Sequence, residues 1–98
     1  MEIARTIREQ LGGRIFALMT GAKGFVALSG GGLSFRVGRN SKGVNRVVIL
    51  YDKGGDCYNL EFGRMRASTY KVLSEACGVY CDQLQSIFTA HTGLETRL

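Results

Sequence analysis

Residues 44–62, VNRVVILYDKGGDCYNLEF, decide the fold. The run 44–51 is rich in β-branched side chains and apolar on both faces, so it predicts a strand in the centre of a sheet. Residues 58–62 alternate between apolar and polar side chains, which is typical of a strand with one buried face. The segment 52–56 between them contains two adjacent glycines. The two strands should therefore form an antiparallel hairpin.

Further strands are predicted on both sides of this hairpin. Residues 14–20 are apolar and aromatic, and together with residues 25–28 they predict a second hairpin. Residues 33–37 alternate between apolar and polar side chains, which predicts another strand. Residues 69–75 fit helical spacing as well as strand alternation, so the pattern by itself leaves both structures open there.

Each end of the chain predicts a helix. Apolar side chains recur at every fourth position of residues 2–11, and the glycines at 12–13 end this helix. Residues 84–91 carry an apolar stripe that includes His91, and Gly93 ends a helix of about three turns.

These elements predict a single α+β domain over residues 1–98. We expect an antiparallel sheet of about five or six strands, with the N-terminal and the C-terminal helix packed on one face. The chain is 45% hydrophobic and 21% charged, which is typical of a globular domain and excludes a disordered one. No apolar run reaches the roughly 18 residues of a membrane-spanning helix, and charges interrupt any signal-peptide core. We expect a cytoplasmic protein that does not bind membranes.

Basic residues are concentrated in the middle of the chain. The net charge is +5, yet the stretch from Gln10 to Tyr51 contains no Asp or Glu. Its six cations are Arg14, Lys23, Arg36, Arg39, Lys42 and Arg46. Charge asymmetry of this kind indicates an anionic partner, either nucleic acid or an acidic protein face.

The candidate binding residues are Arg36, Arg39, Lys42 and Arg46. They flank a loop of Gly, Asn and Ser residues, whose backbone amides could also approach a phosphate. An arginine side chain binds phosphate and carboxylate equally well, so these residues do not choose between the two anions.

Three cysteines and one histidine bear on metal and enzyme chemistry. The odd number of cysteines favours reduced thiols, and the spacing of Cys77 and Cys81 does not fit a zinc site, so no metal is predicted. A thiol-dependent hydrolase would need Cys57 to pair with His91, because Cys81 would lie about 15 Å from His91 along one helix. No nucleotide-binding fingerprint occurs, and we predict neither a cofactor nor an enzyme.

Tyrosines and carboxylates on the predicted strands offer less specific candidates. Tyr51, Tyr58 and Tyr70 would stack on bases if exposed, although tyrosines at alternating strand positions are more often core residues. Glu61 and Glu75 have no partner that the sequence identifies, so no catalytic carboxylate pair is assigned.

Three stretches resemble short uncharacterised proteins of bacteriophages and prophages. They are 16–25 (FALMTGAKGF), 32–36 (GLSFR) and 78–94 (GVYCDQLQSIFTAHTGL). The resemblance would span most of the chain, and it favours a strand at 69–75, which we therefore predict. It carries no binding or catalytic residue across. It implies a small accessory protein that acts in the host cell by stoichiometric binding to a host factor.

Three functional hypotheses follow from the sequence. The first is non-enzymatic binding to a host protein, such as a nucleic-acid enzyme or a defence complex. The second is direct binding of nucleic acid through the loop between Arg36 and Arg46. The third is the hydrolase with Cys57 and His91. Exposed edge strands of a small sheet also permit a homo-oligomer.

Overall fold

The computed structural model describes residues 2–96. In chain order these residues form α1 (Glu2–Leu11), α2 (Gly13–Thr20), β1 (Lys23–Leu28), β2 (Gly32–Arg36), β3 (Arg46–Asp52), β4 (Cys57–Arg66), β5 (Thr69–Val79), a 3₁₀ turn (Cys81–Gln83) and α3 (Leu84–Thr92). The five strands make one antiparallel sheet in the order β1-β2-β3-β4-β5. The α+β prediction with an antiparallel sheet is confirmed.

The helices cover one face of the sheet. Phe16 of α2 contacts Phe35 of β2 and Phe88 of α3 edge to face, with ring centroids 5.6 and 5.0 Å apart. Phe62 of β4 lies 6.4 Å from Phe88. All four rings are fully buried, and aromatic contacts of this geometry stabilise a core beyond their buried area. This aromatic cluster holds α2, α3 and the two strands together.

The opposite face of the sheet, here called the open face, is only partly shielded from solvent. Cross-strand pairing places Val26, Ser34, Val48, Glu61 and Glu75 side by side across its middle. Val26 is 51% exposed, and Leu50 in the neighbouring row is 46% exposed. The α+β sheet is therefore covered on one side only, as antiparallel sheets commonly are.

The prediction of a strand at 14–20 is wrong, because this segment forms helix α2. Gly12 and Gly13 both have positive φ, 127° and 59°, so the chain turns sharply between α1 and α2. Phe16 and Thr20 are four residues apart and both buried, which is helical spacing. A short apolar run does not by itself distinguish a helix from a strand, and the aromatic cluster selects the helix.

The predicted hairpin of 14–20 with 25–28 is wrong as well, because β1 pairs with β2 instead. The other predicted strands and helices are confirmed. β3 is the central strand, the turn follows it at 53–56, and β4 buries alternate side chains. Residues 69–75 lie within β5, and Gly93 ends α3 in the left-handed conformation with φ of 78°. Among residues 2–96, no helix has the length and the apolar character that crossing a bilayer requires.

The aromatic ring of Tyr70 packs on Gly63 on the open face. A Cβ atom built on Gly63 would lie 2.5 Å from both Cε1 and the hydroxyl oxygen of Tyr70. The ring of Tyr70 thus covers the backbone of β4, and no larger residue fits beneath it.

Gly63→Ala should therefore destabilise the protein by about 1–3 kcal/mol, because the ring must move away or the strands must separate. Gly54→Ala is the matched control, since the atom nearest to its Cβ is 3.5 Å away. Urea unfolding measures both variants. Equal unfolding free energies for the two would contradict the packing of Tyr70 on Gly63.

Candidate anion-binding surface

The antiparallel sheet gathers cations from distant parts of the chain at one end. β1, β3 and β5 begin at this end, and β2 and β4 finish there, so the segments 23–24, 36–46 and 64–71 become neighbours. Their cations are Lys23, Arg36, Arg39, Lys42, Arg46, Arg64, Arg66 and Lys71. The three segments contain no Asp or Glu. We call this group of eight cations the basic end.

Three of these cations form a row across the open face. Lys23 pairs with Arg36, and Arg36 pairs with Arg46, on adjacent strands. Paired residues have Cα atoms about 4.5–5.5 Å apart, so their side chains are direct neighbours. The guanidinium of Arg36 lies over Gly24, where a Cβ would be 3.1 Å from its Nε. We call Lys23, Arg36 and Arg46 the cation row.

Arg46 is the half-buried member of the cation row. Its Nε is buried and has no hydrogen-bond partner within the described part of the chain. The Tyr70 hydroxyl donates a hydrogen bond to Glu61 Oε1 at 3.0 Å on the neighbouring strands. Arg46 therefore has an unpaired, buried donor beside a polar pair on the open face.

The loop between β2 and β3 is organised by Asn40. Its amide nitrogen donates to the carbonyls of Gly38 and Val44 at 2.9 and 2.6 Å, and its Oδ1 accepts from the backbone amides of Lys42 and Val44. The amide of Gly43 donates to the backbone carbonyl of Asn40. These three amides are already engaged within the loop, so they are not the ones that would approach a phosphate.

The tip of the β4–β5 hairpin joins this loop. Arg64 donates to the carbonyl of Gly43 at 3.0 Å. The side-chain amide of Asn45 donates to the carbonyl of Met65 and accepts a hydrogen bond from the Met65 backbone amide. Arg39, Asn40 and Arg64 line a cavity of about 220 Å³ between the two segments. Hairpin and loop thus form one continuous basic surface.

The structure places the four predicted binding residues at the same end of the sheet, with Arg36 and Arg46 on the open face and Lys42 on the side that the helices cover. Arg36, Arg39 and Lys42 are exposed, and Arg46 is half-buried. Arg14 lies apart from the basic end. The C-terminal end of α2 contacts the loop, because the Thr20 carbonyl accepts a hydrogen bond from the Gly38 amide. Arg14 is about 9 Å away from Thr20 along this helix.

The sequence interpretation missed three cations at the hairpin tip, namely Arg64, Arg66 and Lys71. A signal for them was present. Residues 63–68 lie between the predicted strands 58–62 and 69–75, and Lys71 is near the start of the second one, which places these cations at the same end as the loop 37–45. Their stretch is also free of Asp and Glu from Phe62 to Ser74.

The pairing of Cys57 with His91 is wrong. The ring of His91 stacks on Phe62, five residues further along β4 than Cys57, which is a distance of about 17 Å along a strand. His91 instead bonds Ser74, with Oγ and Nδ1 2.8 Å apart. Within residues 2–96, no three His, Cys, Asp or Glu side chains converge as metal ligands.

The tyrosines and carboxylates occupy different environments. Tyr58 is a core residue whose hydroxyl donates to Gln10, while the Tyr51 hydroxyl donates to Asp56. Glu61 and Glu75 face each other across β4 and β5, one row from the cation row. Of the three tyrosines named from the sequence, Tyr70 is the one on the open face.

Burial raises the pKa of Tyr70 to about 12, and both its hydrogen bond to Glu61 and the charge of Glu61 act in the same direction. Arg46 acts against them. Because the pKa is higher than in the unfolded chain, this hydroxyl contributes stability fully below about pH 10. That contribution is lost as the pH rises towards about 12.

Tyr70→Phe should remove the component near pH 12 from the absorbance titration of ionised tyrosine. Tyr80→Phe, at a position 55% exposed, is the control and should leave this component in place. Persistence of the component in Tyr70→Phe would assign it to another residue.

Comparison with known proteins adds no assignment, because no family model, no curated protein and no solved structure matches this chain. The resemblance to bacteriophage proteins stays a prediction.

Proposed function

We propose that the protein binds nucleic acid, without enzymatic activity, through the basic end. The observation that carries the proposal is the cation row, in which Lys23, Arg36 and Arg46 are neighbours on three adjacent strands. Like charges placed directly opposite each other destabilise a sheet. A polyanion lying across the row relieves this repulsion at several positions at once, whereas a single carboxylate relieves it at one.

The charge distribution of the whole domain supports a polyanionic partner. The basic end carries eight of the 13 basic residues and none of the eight acidic ones, so the rest of the chain is net negative. A polarised domain of this kind is oriented by the field of a nucleic acid as it approaches. The sequence pI of about 9.5 also agrees with a basic nucleic-acid-binding domain.

The side chains of the basic end supply the donors that phosphate contacts need. Arg and Lys bind phosphate oxygens, which position a protein on a strand but carry no sequence information. Tyr70, the tyrosine on the open face, already donates to Glu61 and covers Gly63, so it is poorly placed to stack on a base. Binding should therefore be largely independent of nucleotide sequence and strongly dependent on salt.

The experiment measures binding of a short fluorescent DNA duplex, and of its single strand, by anisotropy. If the basic end neutralises about four phosphates of the duplex, raising salt from about 50 to about 200 mM lowers affinity roughly a hundredfold. The double variant R36E/R39E should lower affinity at least about tenfold and flatten the salt slope by about two.

R5E/R14E is the matched control, because it makes the same change in net charge at exposed positions on α1 and α2. It should retain most of the affinity. Equal losses in the two double variants would show that only net charge matters and would reject the basic end as the site. R36E/R39E should fold at least as stably as the native chain, since it removes repulsion from the cation row.

A second candidate function is stoichiometric binding to a partner protein, which the apolar part of the open face favours. Val26 and Leu50 are 51% and 46% exposed, and both lie one or two rows from the cation row. Exposed apolar residues beside cations, Arg above all, are typical of protein interfaces. The partner in this proposal is a host protein, as the bacteriophage resemblance implies. To complement the open face, its surface would have an acidic rim around an apolar patch. A homo-oligomer, in which a second copy of the chain is the partner, stays a prediction.

Leu50→Asp separates the two candidates, because it changes the apolar patch and leaves the basic end intact. If a partner protein docks on the open face, capture of one protein in equimolar amount from nuclease-treated bacterial extract is lost in this variant, while DNA affinity changes less than about twofold. Capture that survives Leu50→Asp contradicts docking on the open face.

A further inference from the structure

A second group of donors lies on the side of the sheet that the helices cover. Lys42, Ser74 and His91 line a cavity of about 220 Å³, together with Val44, Leu73 and Ala90. These residues come from the loop, β5 and α3, so only the folded chain brings them together. The lining residues include no Asp or Glu. Glu95 lies beside a separate cavity with Gln85 and Thr89.

Two contacts hold the imidazole of His91 in one orientation. Its ring stacks nearly parallel on Phe62, with centroids 4.6 Å apart and planes 5° apart. Its Nδ1 lies 2.8 Å from Ser74 Oγ. With Ser74 assigned as the donor to Nδ1, the neutral imidazole carries its proton on Nε2, which is then a donor to any ligand. In the imidazolium form Nε2 is a donor as well.

The position of Lys42 is also determined locally. Its backbone amide donates to Asn40 Oδ1 at 3.2 Å, and Asn40 closes the loop on the carbonyl of Val44 at 2.6 Å. The neighbouring Ser41 packs against α3, since a Cβ on Gly93 would lie 3.1 Å from its Oγ. The loop therefore places Lys42 at the cavity that His91 and Ser74 line.

From this arrangement we infer that the cavity binds one phosphate group. Phosphate oxygens are hydrogen-bond acceptors, and the cavity is lined by Lys42 and by an imidazole whose Nε2 carries a proton. The Ser74 hydroxyl is engaged with Nδ1 and holds the imidazole in position. The cavity volume of about 220 Å³ is well above the ~10–15 Å³ that one water molecule needs, so a phosphate group has room to enter.

The inference rests on the proposed function for the source of the phosphate. A terminal phosphomonoester protrudes from the end of a strand and can enter a recess, whereas an internal phosphodiester is attached to nucleotides on both sides. The terminal phosphate of a strand bound at the basic end therefore fits the cavity, and free inorganic phosphate has the same chemistry.

The Ser74–His91 contact also has the geometry of a nucleophile and its general base. In hydrolytic triads an acidic group orients the imidazole, and the residues lining this cavity include none. Lys42 instead adds a cation to the same cavity, which is the arrangement of an anion site.

The first experiment is an NMR titration with inorganic phosphate, in which sodium chloride at equal ionic strength corrects for general salt effects. His91 is the one histidine of the chain, so its ring signals report on the cavity without ambiguity. We expect a saturable shift of these signals that chloride does not produce. Lys42→Ala should weaken phosphate binding about tenfold, and Ser74→Ala by a smaller factor.

Lys53→Ala is the matched control, because Lys53 is an exposed lysine in the β3–β4 turn at the opposite end of the sheet. It should leave the titration unchanged. A linear shift, or equal weakening by Lys42→Ala and Lys53→Ala, would overturn the phosphate site. Because Lys42 is exposed, its replacement should not prevent folding.

The second experiment compares 5′-phosphorylated and 5′-hydroxyl oligonucleotides of one sequence. The native chain should prefer the phosphorylated strand several-fold, and Lys42→Ala should lose this preference, while R36E/R39E weakens both strands alike. If both strands bind equally and His91 does not respond to phosphate, the cavity is rejected and the proposed function stands. If His91 responds to phosphate but neither strand binds, the proposed function is rejected and free phosphate is the ligand.

Discussion

The burial of one face of the sheet against the helices is the constraint on which the rest of the structure depends. Phe35, Val47 and Phe62 pair across β2, β3 and β4 and are all completely buried. Since side chains alternate along a strand, the next residues must face the other way, and a slip of one residue would exchange the two faces. Arg36 and Arg46 are therefore neighbours on the open face because Phe35 and Val47, the residues beside them, are in the core.

This arrangement leaves electrostatic repulsion in the folded protein. The hydrophobic core imposes the register, and the register places three cations side by side at one end of the sheet. Burial of large apolar side chains contributes far more than the fraction of a kcal/mol that a repelling cross-strand pair costs, so the fold tolerates the cation row. The cation row lowers the stability of the folded protein, and a bound anion would remove this repulsion. Such a cost in stability is typical of binding sites.

The sequence predicted most of the strands because their signals are local. Residues 44–62 combine a β-branched run, a glycine turn and an alternating strand, and all three appear in the structure as expected. Residues 14–20 were wrongly predicted, because a short apolar run is compatible with both a strand and a helix. The packing of Phe16 against Phe35 and Phe88 decides between them, and those partners are distant in the sequence.

The candidate site was also predictable only in part from the sequence. The acid-free stretch from Gln10 to Tyr51 and its cations can be read directly from the amino-acid order, as can the alternation that makes Arg36 and Phe35 face apart. The contribution of the hairpin tip, the separation of Arg14, and the meeting of Lys42, Ser74 and His91 were decided by the tertiary structure alone. Composition and periodicity act over a few residues, whereas these contacts depend on how strands and helices far apart in the chain pack on one shared core.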